Sequence, residues 1–281
     1  MGKIVLAAKI THVPSLLISE REGPLKGKRQ EPINSLKELG NRARARGVDT
    51  FVVFDMHWIS NFGFHINANA VHEGVYTSEE APHMIQNMAY KYEGYPALGA
   101  AIAEEGRAKG LDVLSHEVPT LALAYGTIVP MHYMNGDASM RVISLAANLF
   151  ATTEQNRQLG EAVLKGIERC DGNVAILASG SMSHQLISAS ETGPDQWDKM
   201  STEFNRQVDL RVLELWEQGR YAEFVHMLPE YSRLCRGEGL MADTAMMFGA
   251  LGWDTYAGKS EQLCEYFPSS GSGQVTVEFH V

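Results

Sequence analysis

The chain has 281 residues, of which 44% are hydrophobic and 21% charged, which suits a globular protein and excludes a disordered or coiled-coil chain. Its 24 Lys and Arg against 34 Asp and Glu give a net charge of −10 without a basic cluster, which disfavours nucleic acid as a partner. No apolar stretch approaches the ~18 residues of a membrane span, and three scattered cysteines without a C-x-x-C spacing favour a reducing compartment. We therefore expect a cytoplasmic protein with no membrane partner.

Apolar runs separated by amphipathic segments predict alternating strands and helices. In chain order the predicted strands are Lys3–Ile10, Thr50–Phe54, Phe64–Asn67, Val113–Ser115, Arg141–Leu145, Val174–Ala178 and Gln274–Phe279. The predicted helices are Glu31–Arg46, Pro96–Gly110, Gln155–Arg169, Thr202–Glu217 and Leu240–Leu251. This alternation predicts an α/β fold whose mostly parallel or mixed central sheet carries helices on both faces. Without internal repeats, we expect a single catalytic domain over residues 1–281 in preference to two closely packed halves.

Four of the predicted strands run into polar residues that include a histidine, namely His12, His57, His116 and His184. Ligand sites of open α/β sheets gather beyond the carboxyl ends of the strands. A single histidine is more often a structural or surface residue, but four at strand ends out of ten in the chain indicate a site at this edge.

His12 and His57 could converge if their strands were neighbours, since adjacent strands lie about 4.8 Å apart. Neutral imidazoles bind Fe, Zn, Cu or Ni better than Mg or Ca. Glu238, between Gly237 and Gly239, is the candidate third ligand, although an acid at this place could equally cap the following helix. Two histidines and a carboxylate suit either non-haem Fe(II) oxygen chemistry or a zinc hydrolase.

His184 follows a run of small residues, Ser179–Ser183, that leaves room beside it. An imidazole exchanges protons near neutral pH, so His184 is a candidate general acid or base. A serine nucleophile is less favoured, because neither Ser181 nor Ser183 lies in a G-x-S-x-G motif. His132 and His116 stay open as further candidates.

Five short motifs occur in order along the chain, at Thr11–Ser15, Asp55–Trp58, Tyr125–Met131, Gly180–Gln185 and Gly237–Leu240. In these motifs and over its full length the chain resembles the class III extradiol ring-cleaving dioxygenases. Within that family it is most similar to the branch that cleaves homoprotocatechuate (3,4-dihydroxyphenylacetate). The resemblance implies a homo-oligomer that inserts both atoms of O2 into a catechol and yields a hydroxymuconic semialdehyde.

Carried over residue by residue, the resemblance implies that His12, His57 and Glu238 hold Fe(II) and that His184 is the active-site acid/base. Three alternatives remain: cleavage of another catechol or of a 2-aminophenol, a zinc hydrolase of the same fold, and a metal-poor interaction protein. The presence of all four residues disfavours the interaction protein, which would not need them.

The chain departs from the family pattern at Tyr125. The relatives that cleave protocatechuate carry a second active-site histidine where this chain has Tyr125. Two interpretations follow: the Tyr125 hydroxyl hydrogen-bonds a bound catechol oxygen, or His116 enters the site from the preceding strand. We therefore expect His184, Tyr125 and His116 to be the candidate catalytic residues.

Overall fold

The computed structural model describes residues 1–193 and 195–281. The strands in this part of the chain are β1 (Lys3–Ile10), β2 (Thr50–Ser60), β3 (Phe64–Asn67), β4 (Val71–Tyr76), β5 (Met88–Glu93), β6 (Val113–His116), β7 (Arg141–Asn148), β8 (Asn173–Ser179), β9 (Ser260–Gln262), β10 (Phe267–Ser269), β11 (Ser272–Gln274) and β12 (Val277–Phe279). The α-helices are α1 (Ser15–Ser19), α2 (Gln30–Ala45), α3 (Pro96–Ala108), α4 (Tyr125–Met134), α5 (Thr153–Arg169), α6 (Glu203–Glu217), α7 (Tyr221–Leu234) and α8 (Ala242–Leu251).

One mixed sheet forms the centre of the molecule, with the strand order β6-β3-β7-β2-β8-β1-β12-β9. Its four middle strands, β7, β2, β8 and β1, run parallel to one another. β12 and β9 extend one side in antiparallel fashion, and β3 pairs antiparallel with β7 on the other side. The fold class predicted from the sequence is confirmed.

The sheet separates two apolar cores because successive side chains of a strand point to opposite faces. In β1, Leu6 and Ala8 pack into the core under α2 and α4, whereas Ala7 packs into the core under α3, α5 and α8. α5 and α8 approach closely at Gly160, where a Cβ atom would lie 2.0 Å from the carbonyl oxygen of Met246. The buried faces hold the strands so that their carboxyl ends meet at one edge.

The predicted element boundaries differ from the observed ones mainly near that edge. β2 runs to Ser60, six residues beyond its predicted end, and the predicted strand Gln274–Phe279 is two strands, β11 and β12. The β4–β5 hairpin and the helices α1, α4 and α7 were not predicted as elements. α4 contains Gly126 and Pro130 and is buried almost throughout, so it lacks the amphipathic pattern that marks a surface helix. Among the described residues, no helix combines the length and apolar character needed to span a bilayer.

Candidate metal centre and active-site pocket

Three side chains of metal-ligand type meet beyond the carboxyl ends of the parallel strands. His12 follows β1, His57 lies in the last part of β2, and Glu238 lies in the turn between α7 and α8. The Nε2 atoms of His12 and His57 lie 3.3 and 3.0 Å from Oε1 of Glu238. One ligand atom of each residue lies within 4.8 Å of the other two, so the structure brings together the set chosen from the sequence, here called the triad.

The position of His57 depends on a bulge in β2. β8 lies between β1 and β2, so the expectation that His12 and His57 end neighbouring strands is wrong. The pairing of β2 with β7 passes from Asp55 to Ile59, which leaves the residues between them unpaired. Oδ1 of Asp55 accepts the backbone N–H groups of His57 and Trp58 at 2.8 and 3.2 Å. The bulge brings the ring of His57 to a centroid distance of 4.7 Å from that of His12.

Glu238 is held by a strained turn. The three residues after it, Gly239, Leu240 and Met241, have φ values of 51°, 58° and 59°. Left-handed backbone costs a side-chain-bearing residue about 1–3 kcal/mol and is concentrated at functional sites. The carboxylate of Glu238 does not cap α8; Oε1 faces the histidines and Oε2 accepts the backbone N–H of Ser181. The helix-cap interpretation of Glu238 is therefore wrong.

Outer hydrogen bonds set the orientation of both imidazoles. The hydroxyl of Ser179 donates to the carbonyl of Gly126 at 2.5 Å and lies 3.0 Å from Nδ1 of His12, so Nδ1 must be the donor of that bond. Oε1 of Glu80 lies 3.2 Å from Nδ1 of His57, and a carboxylate can only accept. With a metal ion bound, each ring would keep its proton on Nδ1 and offer the lone pair of Nε2 to the ion, which is the arrangement typical of metal-bound histidines.

The charges around Glu238 suit a bound cation. Its side chain is only 5% exposed, and within the described chain its partners are the backbone of Ser181 and histidine rings. Burial, the largest single effect, raises the pKa of Glu238, but the attraction of His12 and His184 and the hydrogen bonds with His12 and His57 together hold that pKa well below its usual value. Burial likewise opposes charge on His57, yet hydrogen bonds with Glu238 and Glu80 raise the pKa of His57 to about 10. A positive charge between the two Nε2 atoms and Oε1 of Glu238 would be stabilised by the carboxylate. The donor set of two histidines and one carboxylate suits a divalent transition metal.

His184 and Tyr125 line the same pocket as His12 and His57. Nε2 of His184 lies 4.0 Å from Oε1 of Glu238, beyond hydrogen-bond length, so this nitrogen is available to a ligand. The ring of Tyr125 stacks on His57 with a centroid distance of 3.8 Å. Burial, and then the hydrogen bond with Glu80, raises the pKa of Tyr125, which keeps its hydroxyl a proton donor.

The structure does not bring His116 to this pocket. Nε2 of His116 lies 2.7 Å from Nδ1 of His65, and the two rings stack in a separate depression beside Trp58 and Phe62. His132 lies exposed at the end of α4. Of the four histidines that follow predicted strands, three converge, and His116 fails to do so because β6 is the far edge strand.

Sequence reasoning missed Glu80 and Asp55, which support the histidines without lying in a ligand pattern. Glu80 belongs to the loop between β4 and β5, a hairpin that was itself not predicted. Asp55 directly precedes the bulge, and its place inside the quoted Asp55–Trp58 motif was the signal that could have identified it. The pocket walls are apolar at Val13, Pro14 and Met84, which suits a flat aromatic ligand.

Comparisons with known proteins agree with this geometry. Residues 6–280 match the family model described as the catalytic LigB subunit of aromatic ring-opening dioxygenase. The chain is 49% identical over 262 residues to the 3,4-dihydroxyphenylacetate 2,3-dioxygenase of Escherichia coli, covering 92% of this chain and 94% of that protein. It is 25% identical over 293 residues to the 2-aminophenol 1,6-dioxygenase beta subunit of a Pseudomonas species, covering 100% of this chain and 95% of that protein.

A solved structure has the same fold at low sequence identity. The crystal structure of the uncharacterized protein JW3007 from Escherichia coli K12 superposes with a TM-score of 0.69 at 15% identity. The match covers 98% of this chain and 99% of that one, so the fold is shared over the full length.

Proposed function

Because this chain belongs to the LigB family of aromatic ring-opening dioxygenases, we propose that it is an Fe(II)-dependent enzyme that cleaves 3,4-dihydroxyphenylacetate beside its hydroxyl pair. Membership of this family makes the chain an extradiol ring-cleaving dioxygenase. The observation that carries the metal-dependent part is the pair of imidazole Nε2 atoms 3.3 and 3.0 Å from one buried carboxylate oxygen, Oε1 of Glu238. The substrate name rests on the 49% identical relative.

In this proposal His12, His57 and Glu238 hold the metal. A bound Fe(II) supplies open coordination positions for catechol and O2 and the electron exchange that O2 requires. The protein contributes fixed donors: Ser179 and Glu80 hold the two rings, so little rearrangement is needed when the ion binds. Zinc, which cannot change its oxidation state, would make the same donor set a hydrolase.

His184 is the proposed general acid/base. Its backbone N–H donates to the carbonyl of Arg236 at 3.0 Å, which fixes the residue beside the turn that carries Glu238. Its free Nε2 can take a proton from a catechol hydroxyl as the substrate binds and return one when an O–O bond breaks. A positioned group of this kind typically contributes about 10²–10⁴ in rate.

Tyr125 is the proposed hydrogen-bond donor to a substrate oxygen. Its raised pKa keeps the hydroxyl protonated, and its one O–H, which donates to Glu80 in this structure, would turn to the substrate oxygen when substrate binds. The stacking of Tyr125 on His57 holds its ring in the wall of the pocket. We assign no catalytic role to His116, because it pairs with His65 in a different depression.

We also propose that the protein is a cytoplasmic homo-oligomer. Cys170, Cys235 and Cys264 are free thiols, which suits a reducing compartment. The side chains of Phe62 and Phe150 are 85% and 76% exposed, and aromatic surface of this kind is typical of subunit contacts.

A substrate and metal panel tests the proposal. The protein is freed of metal, loaded with Fe(II) or Zn(II) under nitrogen, and mixed in air with 3,4-dihydroxyphenylacetate, protocatechuate, catechol and 2-aminophenol. We expect the Fe(II) form to release a yellow ring-cleavage product, with the highest kcat/KM for 3,4-dihydroxyphenylacetate and none with Zn(II). A higher kcat/KM for 2-aminophenol would keep the family and overturn the substrate, a result that the 25% identical relative makes worth measuring.

A further inference from the structure

The proposed substrate carries an acetate group for which the triad provides no partner. Among the described residues that line the pocket there is no Lys or Arg, so no direct ion pair is available to this group. The pocket lining is instead rich in serine and includes Ser15, Ser269, Ser270 and Ser272. Serine hydroxyls are neutral donors that a substrate carboxylate can use, whereas the histidines of the pocket are assigned to the metal and to proton transfer.

Two of these serines are joined to a buried arginine by a chain of hydrogen bonds. Nε of Arg29 donates to Oγ of Ser15 at 3.3 Å, and Oγ of Ser15 lies 3.3 Å from Oγ of Ser269. The exposed fractions of Arg29, Ser15 and Ser269 are 5%, 1% and 5%. Arg29 lies outside the pocket lining, where its guanidinium also donates to the carbonyls of Trp197 and Pro268. Among the described pocket residues, Arg29 thus contacts the hydroxyl of Ser15 and the backbone carbonyl of Trp197, and Ser15 joins it to Ser269.

The donor and acceptor in each hydrogen bond among Arg29, Ser15 and Ser269 follow from the chemistry of these three side chains. A guanidinium has donors and no acceptor, so Ser15 must accept from Arg29. The three groups supply three hydrogens, one N–H and two O–H, and the two observed contacts use two of them. Whichever hydroxyl donates in the pair of Ser15 and Ser269, one O–H is left over, and both serines line the pocket. Ser272 offers no such hydrogen, because its hydroxyl donates to the carbonyl of Ser269 at 2.6 Å.

We propose that Ser15 and Ser269 bind the side-chain carboxylate of the substrate and that Arg29 positions their hydroxyl hydrogens toward it. The inference rests on the proposed function, since it assumes a substrate with an acidic side chain. Ser15 and Ser269 are the specificity-determining residues, and Arg29 is a positioning residue that acts through them. Arg29 is itself paired with Asp198 at 3.3 Å, so its part is to orient the serine hydroxyls and not to supply a free charge.

The test compares two substrates that differ at the carboxylate alone. The kcat/KM values for 3,4-dihydroxyphenylacetate and for 4-ethylcatechol, in which a methyl group replaces the carboxylate, are measured with the Fe(II) enzyme and with Ser269→Ala, Ser15→Ala and Arg29→Met. Because hydrogen bonds to charged groups are strong, we expect each variant to lower kcat/KM for the acid by about 10-fold or more, mainly through KM. The value for 4-ethylcatechol should stay within about two-fold of wild type, as for a substitution that touches nothing the substrate uses.

Lys28→Met is the matched control for Arg29→Met. Arg29 and Lys28 both pair with Asp198, at 3.3 and 3.0 Å, and of the two only Arg29 hydrogen-bonds to Ser15 in the described structure. We expect this variant to keep the wild-type preference for the acid. An equal loss of preference in Lys28→Met would show a general charge effect and overturn the positioning role of Arg29.

Two failures can be told apart. A wild-type enzyme that does not prefer the acid over 4-ethylcatechol contradicts the proposed substrate. A wild-type preference that survives in both serine variants overturns the inference and leaves the proposed function standing. Should Arg29→Met lose activity on both substrates through misfolding, the two serine variants still decide, since each removes only one hydroxyl group.

Discussion

Two clusters in the described chain gather histidine and carboxylate groups within 4.8 Å, and they differ in what neutralises them. In the triad, Glu238 faces imidazoles, and its contacts include no Lys or Arg. The second cluster, here called the arginine-paired cluster, consists of Glu261, Glu278 and His280 at the β9–β12 edge. The comparison shows that residue types and spacing alone do not define a metal site.

Arginines occupy the place of a metal in the arginine-paired cluster. Arg42 contacts Glu261 at 2.6 Å and Glu278 at 2.7 Å, and Arg46 also pairs with Glu278. Glu261 and Glu278 are cross-strand neighbours, and their carboxylates would repel each other without the two arginines. The cluster is therefore a charge-balanced element of the fold, whereas in the triad the described partners of the carboxylate are imidazoles, which are themselves metal ligands.

The largest expected effect concerns the acid/base beside the triad. His184→Gln removes the titrating imidazole and leaves the three ligands, so turnover in air should fall about 10²–10⁴-fold while iron content stays near wild type. His280→Gln, the corresponding change in the arginine-paired cluster, is the control and should leave turnover unchanged. Steady-state kinetics and metal analysis measure both. Loss of iron from His184→Gln would instead make His184 a ligand or a support.

The next effect is on stability. Arg42→Met leaves the fully buried carboxylate of Glu278 with Arg46 as its remaining cation. Breaking a buried pair costs about 3–5 kcal/mol, and with one cation left we expect a loss of about 2 kcal/mol in the free energy of unfolding. Urea denaturation measures this loss, and adding Glu278→Gln to the variant should restore part of it. An unchanged midpoint for Arg42→Met would contradict a structural role for the cluster.

A smaller effect should appear in metal affinity when Glu80 is removed. Glu80 contacts Nδ1 of His57 at 3.2 Å, and outer partners of metal-bound histidines are typically worth about 10–100-fold in affinity. We expect Glu80→Ala to weaken Fe(II) binding by that factor, measured by competition with a chelator. Glu79→Ala is the matched control, because this exposed neighbour does not line the pocket. Equal Fe(II) affinity in the two variants would contradict a role for Glu80 in supporting His57 as a metal ligand.

The smallest effect is a pH dependence at the arginine-paired cluster. The hydrogen bond from Arg42 lowers the pKa of Glu261 below its ordinary value of 4.5, against a smaller opposing effect of burial. A depressed carboxylate pKa stabilises the fold above the unfolded value, and the stability is lost as pH falls below about 4.5. Since Glu261 is 45% exposed, we expect only a few tenths of a kcal/mol, a range typical of exposed ion pairs. Glu261→Gln should reduce by this amount the loss in the free energy of unfolding between neutral and acid pH. A pH dependence identical to that of the wild type would argue against the ion pair between Glu261 and Arg42.

The ligand types and the sheet edge were predictable from the sequence, because strand periodicity and the residues that follow each strand are local signals. His12 and His57 were identified on that basis. The route by which they meet was not predictable: β8 lies between their strands, and a bulge after Asp55 closes the distance. A bulge depends on how β2 pairs with β7, which is a tertiary property.

Two further features could not be predicted for similar reasons. Glu238 could be a ligand or a helix cap on local sequence alone, and the left-handed turn after it decides the direction of its carboxylate. His116 ends a strand just as His12 does, yet β6 lies at the far edge of the sheet. Strand order, which periodicity does not report, separates the histidine that joins the triad from the one that does not.

The central claim is that the triad, and not the arginine-paired cluster, binds the metal. Calorimetric titration of Fe(II) under nitrogen into the metal-free protein, Glu238→Ala and Glu261→Ala measures it directly. We expect a single tight site per chain in the wild type and in Glu261→Ala, and no tight site in Glu238→Ala. Tight binding that survives in Glu238→Ala and disappears in Glu261→Ala would contradict the account.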